Sequence, residues 1–134
     1  MRAVAAMVAH SAHVKAGLLY VEGAGWEWAK LPSLPATADV TFAIILGVEP
    51  DEVDRTAVLR VEIEGPAKSL GHVDHDFVVN TIHQIPGTPI HEPRVIELED
   101  LTFVEWGLHR LTAVLLEGDA RQELAVVEFS VVEG

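Results

Sequence analysis

The sequence predicts an all-β fold: a single antiparallel β-sandwich, immunoglobulin-like, of about seven to eight strands. Three observations carry this prediction. Apolar and polar residues alternate in short blocks, which is the pattern of a strand with one buried face. Gly, Pro and Asp separate the blocks, and no stretch carries a convincing helical stripe. The chain has 134 residues, of which 49% are hydrophobic, so residues 1–134 are predicted to form one domain around one core.

Strands are predicted in order along the first half of the chain. Short strands are expected at about Val4–Ala9 and Leu18–Glu22. The block Asp39–Val48 carries apolar residues at every second position and is apolar enough to be central. The block Leu59–Glu64 alternates apolar and charged residues, so one of its faces is expected to be buried and the other wet.

The second half of the chain ends in the clearest pattern. An alternating set runs from Phe77 to Ile85, and a further edge strand is expected near Val95–Leu98. Residues 108–115 alternate, and residues 125–131 alternate again. A Glu-Gly-Asp sequence separates them, and it favours a turn because Gly tolerates positive φ and Asp bonds its own backbone. The C-terminal segment is therefore predicted to be a β-hairpin.

The balance of acids and bases excludes several classes of partner. The formal net charge is -12, from 21 acids and 9 bases, and the bases are scattered singly along the chain. Nucleic acids and anionic membranes are bound by clustered Lys and Arg, so neither is an expected partner. The apolar run at residues 3–9 is interpreted as a first strand, and no later stretch approaches the length of a membrane span.

The chain contains no cysteine. This excludes a disulfide framework, thiolate zinc sites and cysteine nucleophiles. The lack of cysteine is typical of a reducing compartment, and with the acidic composition it predicts a cytoplasmic location.

Two motifs cover the two ends of the chain. The first is Ala9-x-Ser11-Ala12-x-Val14-x-x-Gly17-x-Leu19-Tyr20-Val21-x-Gly23-x-Gly25-Trp26, and the second is Leu101-x-Phe103-x-x-x-Gly107-x-His109-x-Leu111 followed by Phe129-Ser130-Val131. Together they resemble an uncharacterised bacterial domain family that is common in actinobacteria. The resemblance implies a β-sandwich and no particular reaction, because its motifs consist of turn and core residues.

One polar cluster has the residue types of a metal site. His72, Asp74, His75 and Asp76 supply the imidazole and carboxylate groups that zinc, manganese or nickel accept. In a loop all four could converge, whereas on a strand His75 would point away from the other three. The spacing is not that of a regular metal motif, and a solvated polar loop explains the same residues.

Two further clusters carry weaker functional interpretations. Trp26 and Trp28 would share a face on a strand and could stack on sugar rings, or they could instead close one end of the core. Ser11 has histidines on both sides, but no nucleophile elbow or oxyanion loop accompanies it. The sequence therefore predicts no enzyme and no cofactor.

The outer face of the predicted C-terminal hairpin is unusually apolar. Antiparallel sheets in monomers usually turn a polar face to water, and exposed apolar patches mark interfaces. The residues expected on this face are Leu108, Val114, Leu116, Leu124, Val126 and Val132. Either the proline-containing segment 85–99 covers them, or another subunit does.

These observations predict a non-enzymatic interaction or assembly module. It is expected to form a homo-oligomer, or to bind a protein partner, through the outer face of the C-terminal hairpin. The alternative is a domain that binds a small ligand, either a sugar at Trp26 and Trp28 or a metal at residues 72–76.

Overall fold

The chain is all-β, as predicted from the alternation of its residues. The structure is a computed structural model, and it describes residues 1–79 and 88–134. Within these residues there are ten strands rather than seven or eight: β1 (Arg2–Ala9), β2 (Ser11–Lys15), β3 (Leu18–Glu22), β4 (Trp28–Leu31), β5 (Ala36–Val48), β6 (Thr56–Glu64), β7 (Ser69–Val78), β8 (Ile90–Phe103), β9 (Gly107–Glu117) and β10 (Ala120–Glu133). A 3₁₀ turn at Pro50–Glu52 lies between β5 and β6.

The strands form three sheets. A three-stranded sheet has the order β1-β5-β8, a five-stranded sheet has the order β4-β10-β9-β6-β7, and β2 pairs with β3 alone. All pairs are antiparallel except β4 and β10, which run parallel. The prediction of purely antiparallel sheets is therefore wrong at β4. Because β4 and β10 lie about a hundred residues apart in the chain, no tight turn imposes the antiparallel direction on this pair.

The three-stranded and five-stranded sheets share one hydrophobic core. Alternate residues of each strand point into it, as the period of two requires. The largest fully buried side chains of the core come from both sheets and include Phe42, Ile44, Leu59, Phe103, Leu111 and Phe129. The rings of Phe103 on β8 and Phe129 on β10 meet edge to face at 6.2 Å, so aromatic contacts join the two sheets.

The predicted C-terminal hairpin is present. It consists of β9 and β10, and Gly118 in its turn has a φ of 56°, a conformation that glycine adopts without strain. The predicted strand from Phe77 to Ile85 is found only as the end of β7, since residues 80–87 lie outside the described part of the chain.

The segment 85–99 does not cover the hairpin, as far as it is described. Residues from Ile90 onward belong to β8, which pairs with the central strand β5 in the other sheet. Pro93 lies in β8, which is an edge strand of the three-stranded sheet, and edge strands are where sheets tolerate proline. The predicted short edge strand at Val95–Leu98 is the middle of this longer strand.

The β2–β3 hairpin lies against β5 and β8, on the outside of the three-stranded sheet. Ala12 and Val21 are half-buried on its inner side, whereas His13 and Tyr20 stack on each other in solvent with ring centroids 5.0 Å apart. Strand β2 was not predicted, although its five residues alternate between polar and apolar.

The described residues contain no helix that is both long and apolar enough to cross a membrane.

Candidate interaction surface

The outer face of the five-stranded sheet holds five of the six predicted interface residues. Leu108 and Val126 are 50% and 42% exposed, which is high for such side chains. Leu116 and Val132 are half-buried. The remaining two residues differ from the prediction, one because of a register shift and one because charged side chains cover it.

Leu124 lies on the core side of the sheet, so its assignment to the outer face is wrong. A β-bulge interrupts the β9–β10 ladder between Glu123 and Ala125. The extra residue shifts the alternation, and Glu123 rather than Leu124 stands beside Val114 on the outer face. Leu124 packs against the edge of the core instead.

Val114 is on the predicted face but is 0% exposed. Arg121 on β10 lies beside Leu116, and Glu62 on β6 lies beside Thr112, so the two flank Val114 on either side. Arg121 donates two hydrogen bonds to Glu62, at 2.5 and 3.2 Å, and this bridge therefore crosses β9 above Val114. The aliphatic stem of an arginine buries apolar surface while its head stays in water. Part of the apolar face is thus covered by the chain's own side chains.

A second bidentate pair lies on the same face, between Arg60 and Asp74, with bonds of 2.7 and 3.1 Å. The hydrogen bonds from Arg60 lower the pKa of the Asp74 carboxyl, and those from Arg121 lower the pKa of the Glu62 carboxyl. Both carboxylates stay charged well into the acidic range. The part of the face near β6 is therefore an ionic surface.

The Arg121–Glu62 pair makes a testable contribution to pH-dependent stability. Because the folded protein holds the pKa of Glu62 below its unfolded value, the pair stabilises the fold above the unfolded pKa, about 4.3, and loses this effect as pH falls through the lowered value. We expect Arg121→Gln to lower the Tm slightly at pH 7, and by progressively less as the pH falls through the lowered pKa of Glu62. Thermal melts of both proteins across this range measure the difference. A gap that stays constant with pH would contradict the assignment, and Lys15→Gln is the matched control.

The part of the face near β4 is apolar. Trp28 on the edge strand is 53% exposed and stands beside Ser130, which in turn stands beside Leu108. We name Trp28, Leu108, Val126 and Val132 the apolar patch. Its centre carries one charged pair, Arg110 and Glu128, whose closest atoms are 3.9 Å apart.

The two tryptophans do not form a shared stacking platform. Trp26 precedes β4, donates its ring N–H to the carbonyl of Gly23 at 2.8 Å, and packs edge to face on Phe129 at 5.7 Å. Trp28 instead points outward, with the ammonium of Lys30 5.7 Å from its ring centroid. The expected common face is wrong because Trp26 lies outside the strand, where the alternation does not apply.

Both tryptophans nevertheless border one cleft. It opens between β4 and β5, has a volume of about 460 Å³, and is floored by the buried ring of Phe103. His10, Lys30 and Asp39 supply its polar groups. The cleft therefore combines apolar walls with a few hydrogen-bonding side chains, as small-ligand sites do.

The four predicted metal ligands do not converge. They lie on strand β7, where His72, Asp74 and Asp76 share the outer face and His75 points to the other side. Arg60 already occupies the carboxylate of Asp74. Across residues 1–79 and 88–134, no group of three or more His, Asp or Glu side chains is placed to hold a metal ion.

His109 is a core residue. It is 0% exposed, and its ring lies between Phe103 and Phe129, with centroid distances of 5.3 and 6.1 Å. Its Nδ1 is 2.9 Å from the carbonyl oxygen of Gly107, which assigns the ring proton to that nitrogen. Nε2 is buried with no hydrogen-bond partner in the described part of the chain.

Sequence reasoning missed Arg110 and Glu128. Alternation shows which side of a sheet a residue takes, but not which charge lies next to it on the neighbouring strand. Their cross-strand pairing follows from the register, which the bulge at Glu123 sets.

No protein-family model matches this sequence, and a search of curated proteins found no match. The resemblance to an actinobacterial domain family therefore stays a prediction.

Proposed function

We propose that the two larger sheets form an immunoglobulin-like β-sandwich, and that this sandwich is a non-enzymatic module that self-associates through the outer face of the β9–β10 hairpin. The observation that carries the proposal is the apolar patch. Three of its residues, Trp28, Leu108 and Val126, are between 42% and 53% exposed and lie on adjacent strands. Several exposed apolar side chains on one face of a sheet are typical of an interface.

A second copy of the chain is the partner that the charges favour. The whole chain has a net charge of -12, so two copies repel each other over most of their surfaces. The patch departs from this balance, because the charged residues at it are Lys30, Arg110, Glu64 and Glu128, two acids and two bases. Self-contact therefore meets less repulsion here than the overall charge implies. A nucleic acid or an anionic membrane is not proposed, for the same reason of overall charge.

The proposal is tested by measuring the absolute mass by light scattering over a dilution series. We expect the parent chain to be a dimer at micromolar concentration and Val126→Arg to be a monomer at the same concentration, because the substitution places a charge in the buried contact. Val14→Arg is the matched control, since Val14 is 44% exposed on the β2–β3 hairpin, away from the patch. A parent chain that is monomeric at every concentration would overturn the proposal, as would a dimer that Val126→Arg leaves intact.

The cleft of about 460 Å³ favours one alternative, a domain that binds a small ring-shaped ligand such as a sugar. Trp26 and His10 would then contact the ring, and Lys30 and Asp39 would bond its hydroxyl groups. A rise in Tm with added monosaccharides that is lost in Lys30→Ala would favour this alternative. Unchanged melting with all sugars would remove it.

A further inference from the structure

The shape and the charges of the outer face favour one arrangement of the two copies in the proposed dimer. We infer that two copies stack face to face about a two-fold axis that runs along the strands between β9 and β10, so that Trp28 of each copy enters a depression on the other. This inference rests on the proposed function and specifies its contact.

The projecting group is Trp28. It stands at the edge strand β4, is 53% exposed, and shares its row of the sheet with Ser130 and Leu108. A large, half-exposed indole at the edge of an apolar patch is the type of side chain that anchors interfaces. Lys30 lies near its ring without covering it from solvent.

The receiving depression lies on the opposite side of the hairpin. It has a volume of about 360 Å³ and is lined by Glu64, Gly65, Pro66, Leu108, Arg110 and Glu128. Pro66 borders Gly107, where an added Cβ would come within 3.1 Å of its ring, so the depression extends past β9 to the end of β6. Trp28 and Pro66 thus lie on opposite sides of the line between β9 and β10. Leu108 and Pro66 offer an apolar floor, and the Arg110 guanidinium offers a cation for the indole face.

The axis follows from the charges. When two identical sheet faces stack, a two-fold axis in the plane of contact runs either along the strands or across them. An axis that runs across the strands through the row of Arg110 places Arg110 of one copy over Arg110 of the other, and these like charges repel. An axis along the strands between β9 and β10 exchanges the two strands, so Arg110 of each copy lies over Glu128 of the other. The same operation brings Trp28 over the depression near Pro66.

Arg110 and Glu128 are only loosely paired within one chain, so both can turn to these contacts. Their side chains are 53% and 41% exposed, and the closest atoms within one chain are 3.9 Å apart. The neighbouring Arg121–Glu62 and Arg60–Asp74 pairs are bidentate and closer, so their hydrogen-bonding groups are already engaged. A reciprocal contact of this kind satisfies an isologous interface, in which residue i meets j and j meets i.

Complementary charge reversals test the inference. We expect Arg110→Glu alone and Glu128→Arg alone each to raise the dimer Kd at least about 100-fold, because each places like charges opposite each other twice in the dimer. An equimolar mixture of the two variants should recover a dimer, since every contact then joins opposite charges. Trp28→Ala should also weaken the dimer, by about 100-fold. Light scattering measures the mass of each sample, and ion-exchange chromatography shows that the recovered dimer contains both variants. Lys15→Glu, at the tip of the β2–β3 hairpin, is the control for the charge change.

The outcomes separate this geometry from the proposed function. A parent dimer with two monomeric reversals that recombine on mixing supports the inference. A parent dimer that either reversal leaves intact overturns the geometry and leaves self-association standing, and so does a mixture that stays monomeric. A monomeric parent overturns both. Circular dichroism and thermal melting of each variant show that lost association is not lost folding.

Discussion

Phe129→Ala is expected to cost about 3–5 kcal/mol of stability and to lower the Tm by about 10–20 °C. Phe129 is 1% exposed and projects from β10 into the space between the two larger sheets. Its ring meets Phe103 from the opposite sheet, Trp26 from the loop before β4, and His109 from the neighbouring strand. Removing it opens a cavity that these rigid rings cannot fill by small movements, which is why the loss exceeds the transfer free energy alone.

Thermal and urea unfolding measure this effect. Val104→Ala is the matched control, because Val104 is 41% exposed in the β8–β9 connection and should change the Tm by only a few degrees. A Phe129→Ala protein that melts within about 3 °C of its parent would show that the aromatic cluster does not hold the two sheets together.

His109→Ala is expected to cost about 2–4 kcal/mol, whereas His109→Phe is expected to lie within about 1 kcal/mol of the parent. The ring is fully buried between Phe103 and Phe129, so its deletion leaves a void. A phenyl ring fills the same space. The variant loses the hydrogen bond to the Gly107 carbonyl, which lowers stability. It also removes Nε2, a buried nitrogen that has no partner among the described residues, and this raises stability, so the two polar effects offset each other.

The two variants distinguish the packing of the ring from the hydrogen bonding of its nitrogens. Equilibrium urea unfolding gives the free energy of unfolding of each variant. If His109→Phe were as unstable as His109→Ala, the imidazole nitrogens would be essential, and our assignment of the residue as a core ring would be wrong. Both chains should keep the oligomeric state of the parent, because His109 faces the core and the proposed interface lies on the other side of β9.

The all-β class and the buried face of each strand could be predicted, because the alternation of apolar and polar residues is visible within a few residues of sequence. Leu59, Val61 and Ile63 are buried in β6 and the residues between them are not, as their period of two requires. Strand β5 is central, as its uninterrupted apolar pattern indicated. The C-terminal hairpin was equally accessible, since a Gly-containing turn lies between two alternating runs.

Which strands pair, and in which register, could not be predicted in the same way. The bulge between Glu123 and Ala125 removes Leu124 from the outer face, and a bulge leaves no distinct signature in a run of alternating residues. The parallel pairing of β4 with β10 joins segments about a hundred residues apart, and the composition of a four-residue strand does not identify its neighbour.

The sequence by itself therefore determined the fold class, the buried face of most strands and the net negative charge, because each depends on composition or on neighbours two residues apart. Only the tertiary structure decided that Arg121 and Glu62 cover Val114, and that Trp28 and Leu108 lie on either side of Ser130. It also decided that His75 points away from His72. These features depend on contacts across strands. Such contacts are set by register and by the packing of whole sheets, and a single strand carries no record of either.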